Sequence, residues 1–61
     1  MELKEGLEFY KKCLIDCDRV IADLLTRADL EENHKQALID RQLEIRTRLK
    51  KTIEVIEELL R

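Results

Sequence analysis

Few residues in this sequence are placed to do chemistry. Cys13 and Cys17 are four apart, so on a helix they share a face. Two thiolates at that spacing could supply half of a tetrahedral zinc site, completed by a second subunit, or an oxidisable pair. There is no Cys-x-x-Cys and no histidine near them in sequence. The simpler expectation is two small, buried, apolar side chains. His34 is the single histidine, and it follows Glu31 by three positions. Glu-x-x-His is the spacing of carboxylate-bridged di-iron bundles, which also draw core glutamates from other helices. The apolar stripe upstream contains no glutamate, so His34 is expected to be solvated near a helix start.

Arg41, Arg46, Arg48, Lys50 and Lys51 form the one basic cluster, interrupted among charges only by Glu44. Such a cluster could contact phosphates, which makes these five residues the candidate nucleic-acid contacts. No aromatic side chain interleaves them for base stacking, and no Gly-rich turn accompanies them. No Ser/His/Asp or Cys/His set and no phosphate-cradling glycines occur in the sequence. A thin helical bundle also leaves little room for a pocket. An enzyme is therefore not expected, nor is a catalytic residue, a metal, a cofactor or a small-molecule substrate.

The elements that would carry these residues are clear. Leu3, Leu7, Tyr10, Leu14, Cys17, Ile21, Leu24 and Ala28 alternate spacings of four and three. That heptad ladder predicts a helix with one buried stripe. Gly6, Cys13 and Val20 run beside it and widen the stripe beyond a two-stranded seam. A second ladder holds Leu38, Ile45, Leu49, Ile56 and Leu59, with Gln42 and Thr52 on the same stripe. Ile39, Ile53 and Leu60 widen that one. The expected self-association core is Leu3, Leu7, Tyr10, Leu14, Cys17, Ile21, Leu24, Leu38, Ile45, Leu49, Ile53, Ile56 and Leu59.

Between the ladders, residues 29–36 contain one apolar side chain, Leu30. Asp29 with Glu32, and Asn33 with Gln36, each fit a capping box. The sequence therefore predicts a single all-α domain over residues 1–61. Helix one runs about 2–28, a turn about 28–33 and helix two about 31–60, folded back as an antiparallel hairpin. An alternative stands beside it. The heptad phase of helix one passes through the gap without slipping, and no Gly or Pro breaks the chain there. A single continuous helix in a long coiled coil is the second expectation.

Composition agrees with either reading: 44% hydrophobic, 43% charged, one Gly and no Pro. A chain of 61 residues buries only roughly 60% of its unfolded surface and usually needs a helper. Without a cysteine framework or a metal cluster, that helper is expected to be a second copy. Two wide-faced hairpins would form a homodimeric four-helix bundle. Net charge is −2, which gives no general pull towards nucleic acid or an anionic membrane. No run of 18 apolar residues exists, so no membrane span is expected. With two cysteines and no signal-peptide layout, the cytoplasm is the expected compartment. Charge is uneven along the chain. Residues 1–33 hold nine acids and five bases, while residues 34–53 hold six bases and two acids. In a hairpin, the basic segment would lie beside Asp16, Asp18 and Asp23. Phe9 falls outside the stripe, on the outer side of helix one, and is a candidate contact for another protein.

In length, two-helix layout and glycine-free turn, the chain resembles the Rop-like plasmid copy-number regulators, dimeric four-helix bundles that bind RNA hairpins. That resemblance implies RNA binding through the outer side of helix one; here helix one is acidic. The second half also resembles the dimerisation helix that ends many MerR-like regulators. The functional expectation is a small non-enzymatic protein–protein interaction module, acting as a regulator, adaptor or chaperone-like factor through a self-associating hairpin. A nucleic-acid-binding regulator using residues 41–51 and a structural coiled-coil tether are the alternatives.

Overall fold

The computed structural model describes residues 2–61. Two helices, α1 (Leu3–Thr26) and α2 (Glu32–Leu60), pack against each other as an antiparallel hairpin. The Cα trace measures 44 × 15 × 14 Å. No strand occurs among the described residues. The hairpin expected from the two ladders is therefore present, and the continuous helix is not.

Helix α1 stops despite the uninterrupted heptad phase. Arg27 leaves helical geometry at φ −78°, ψ 121°, and its N–H donates to the Leu24 carbonyl at 3.3 Å. Its guanidinium then grips the Asp29 carboxylate through Nε at 3.1 Å and Nη2 at 2.9 Å. This bidentate pair spans the bend within two residues. Ala28 thus lies exposed in the turn, not at the end of a ladder. Continuing the helix would have placed charged Glu31 and Lys35 in the seam, so little apolar burial opposed the break. Leu30 is half-buried at the closed end of the hairpin.

Neither expected capping box forms. Asp29 is occupied by Arg27, and Asn33 lies inside the first turn of α2. The N-cap is Glu31, at φ −60°, ψ 140°, with no side-chain cap bond. Its carbonyl accepts the first helical bond from the Lys35 N–H at 2.9 Å.

The buried positions are Gly6, Cys17 and Leu24 on α1 and Ile39, Ile53 and Ile56 on α2. A buried glycine has no side chain to hold an opposing helix away. Of the expected core, Leu7, Tyr10, Leu14, Ile21, Leu38 and Leu49 are half-buried. Leu3, Ile45 and Leu59 are exposed, at 44%, 37% and 64%. The contact on α2 is rotated from the expected ladder towards Ile39, Arg46 and Ile53. The column Leu38, Ile45, Thr52 and Leu59 is left at the flank as a result. One helix can cover only part of a stripe this wide. Not one described side chain falls below 2% exposure.

Replacing Leu24 by Ala should lower stability by about 2–3 kcal/mol, whereas Leu25→Ala, on a 64% exposed side chain, should stay within about 0.5 kcal/mol. Urea titration followed by circular dichroism reads both. Equal losses would mean that the helix contact is not where the hairpin puts it.

Candidate functional site

The feature that gathers most of the chemistry-bearing residues is a shallow groove along one side of the hairpin. It is lined by Cys13, Asp16, Cys17 and Val20 from α1 and by Gln42, Ile45 and Leu49 from α2. Heptad spacing produces it. Cys13 and Val20 are one heptad apart on the flank of α1, and Ile45 belongs to the flanking column of α2. The groove lies near the middle of both helices. Its lining is almost entirely apolar, and it opens to solvent.

Two polar contacts join the helices beside it. Buried Cys17 points its thiol at Gln42, whose backbone oxygen lies 3.2 Å away and whose Oε1 lies 3.4 Å away. A thiol is a weak donor, so this pairing mainly satisfies the amide and sets the helix register. Arg46 Nε donates to Asp18 Oδ1 at 2.7 Å. Among the described residues this is the one ion pair between the helices. Its side chains are 37% and 51% exposed, so its worth is under about 1 kcal/mol. The expected complementarity of the basic segment with Asp16, Asp18 and Asp23 is therefore met at Asp18 alone.

The environment of Cys17 differs from that of an ordinary reactive thiol. Burial pushes its pKa up from the usual value, the negative charge of Asp18 adds to this, and Arg46 opposes it. A thiol held protonated is a poor nucleophile and a poor metal ligand. Cys13, half-buried one turn away, shares the groove. No group of three or more potential metal-ligating side chains occurs among the described residues. His34 is exposed in the first turn of α2, and Glu31 is its N-cap. The pair sits at the turn, not in the middle of the bundle.

The basic segment does not form one face. By the helical step of 100° per residue, Arg48 and Lys50 point about 200° apart. Arg46, Lys50 and Lys51 line a shallow depression with Thr47 and Glu54. Arg41 and Arg48, seven apart, share another side. Arg41, Arg48, Lys50 and Lys51 are all exposed and make no ion pair among the described residues. Phe9 is 58% exposed and meets Tyr10 edge to face, with ring centroids 5.5 Å apart. It lines an outward depression with Glu8, Lys11, Lys12 and Ile15. Asp29 is held below the usual carboxylate range by its hydrogen bonds from Arg27.

Sequence reasoning did not anticipate the Cys17–Gln42 contact. Gln42 was legible as a polar member of the second stripe, whereas Cys17 read as one of the apolar rungs of the first. Matching their levels in an antiparallel hairpin would have brought them together.

No family model matches the chain, and no characterised protein or solved structure matches it at a significant level. No described helix is long and apolar enough to cross a membrane.

The raised Cys17 pKa gives a pH signature. Above the ordinary thiol value of 9.0 the unfolded chain loses the proton while the folded chain keeps it, so the unfolded state binds fewer protons. Stability from this group is complete below that pH and falls as pH rises through the folded value. The wild-type urea midpoint should therefore drop more steeply above pH 9 than that of Cys17→Ala. Parallel curves would show that Cys17 ionises alike in both states.

Proposed function

We propose that this chain is a non-enzymatic protein–protein interaction module. Its hairpin pairs with a second copy to make a four-helix bundle, and the bundle acts as a regulator, adaptor or chaperone-like factor. The observation that carries this reading is surface. The hairpin exposes 5068 Å², whereas a compact monomer of 7.3 kDa exposes about 4,200 Å² by the usual mass scaling. The surplus is close to the roughly 800 Å² that each partner buries in a standard interface. Val20 and Ile45 in the groove are among the exposed apolar side chains. A second copy covers such a face without any new sequence, and isologous pairing closes the assembly. The outer side of α1, with Phe9 and Ile15 beside Lys11 and Lys12, stays free to meet another protein.

Light scattering and small-angle X-ray scattering on the reduced protein at micromolar concentration test the reading. The expected mass is about twice 7.3 kDa, with a long dimension still near that of the 44 Å hairpin. A monomer of the single-chain mass overturns it.

The second reading, a nucleic-acid-binding regulator, draws on the four unpaired cations of α2. Their divergence around the helix weakens it, because a phosphate backbone is met by charges on one side. A mobility shift with structured RNA or duplex DNA, weakening steeply with salt, would bring it forward. The expected result is no shift at micromolar protein.

A further inference from the structure

Charged side chains border the groove on both helices. On α1, Asp16 lines the groove and Asp23 lies one heptad further along the same column. Both sit on the far side of Val20 from α2, because Cys17, on the near side, faces Gln42. On α2, Arg41 and Arg48 are likewise seven apart. They sit about 40–60° beyond Ile45 by the helical step of 100°, on the far side from α1. Lys12 lies about 20° beyond Asp23 by the same step, so the charges closest to the groove are Asp16 on α1 and Arg41 on α2. Asp16, Asp23, Arg41 and Arg48 are all exposed, and none makes an ion pair among the described residues. The width of the hairpin lies between Asp16 and Arg41, so the two charges cannot satisfy each other within one chain.

We infer that the groove seats a second copy of this chain, with α1 of each protomer stacked on α2 of the other, so that Asp16 of each protomer meets Arg41 of the other. This rests on the self-association proposed above and adds the face and the pairing. Two hairpins laid face to face can be related by a two-fold axis along their length or by one across it. An axis across the length at the groove stacks α1 on α1, which brings Asp16 towards Asp16 and Arg41 towards Arg41. The axis along the length stacks α1 on α2 and preserves height along the hairpin. Cys17 is level with Gln42, so Asp16 of one protomer comes within one helical turn of Arg41 of the other, while Arg48 falls level with Lys12. Every neighbouring helix pair is then antiparallel, and Val20, Ile45 and Leu49 from both copies fill the interior. Opposite charges at the rim fix pairing and register more than raw affinity.

Two charge-swap variants test the pairing, with circular dichroism to confirm helicity: Asp16→Lys and Arg41→Glu. Every substituted position is exposed. Each variant alone should dimerise roughly tenfold or more weakly than wild type at low salt, because like charges then meet across the interface. An equimolar mixture should recover a heterodimer, read by native mass spectrometry and sedimentation. Rescue on mixing can come only from contacts between chains. If each variant self-associates as tightly as wild type, the assigned face and pairing fall while self-association stands. If wild type itself is a monomer, the underlying reading falls with them. Val20→Lys, an exposed substitution in the groove wall, should abolish the dimer while leaving the hairpin helical. A full-strength dimer in that variant also overturns the assignment.

Discussion

The width of the apolar stripes governs everything else in this molecule. Each helix carries apolar residues over more of its circumference than one neighbour can cover. The hairpin answers by rotating both helices so that Cys17, Leu24, Ile39, Ile53 and Ile56 face inward. Leu7, Leu14 and Ile21 are half covered on one flank, while Val20 and Ile45 lie open on the other. Such a single contact layer has no interior in the usual sense. Its stability rests on a few partly buried aliphatic side chains, which is a thin margin against the chain entropy of folding.

The polar groups beside this layer work on register more than on energy. Cys17, a rung of the first ladder, and Gln42, a polar member of the second, meet at the same level. Arg46 reaches Asp18 on the side away from the groove. Its aliphatic stem can cover apolar surface on that flank while its guanidinium remains near water. That leaves the two sides of the hairpin unlike: one carries the inter-helix ion pair, the other an uncovered apolar groove with Asp16 in its lining.

The turn shows how a local contact outweighs a weak periodic signal. Heptad phase ran through residues 29–37, but the seam there offered charge in place of apolar burial. Capping signals correctly marked a break in that stretch. They did not identify its mechanism, since Asp29 binds Arg27 rather than an α2 backbone N–H. Arg27 and Asp29 pair across the bend, where the seam offered no apolar burial to extend the helix.

The sequence by itself determined that the chain is helical, that it has two amphipathic segments, and where they break to within about two residues. Those properties follow from local periodicity and composition, which are carried by neighbouring residues. It also exposed the acidic first half and the basic second. The tertiary structure decided which part of each wide stripe faces the other helix. It therefore decided that Ile39 is buried while Ile45 and Leu59 are not. It decided too that Asp16 shares one groove with Cys13, Val20, Ile45 and Leu49. A stripe wider than one contact admits several rotations of the helix pair, each consistent with the same pattern. Only packing one helix against the other, with Cys17 level with Gln42, selects among them.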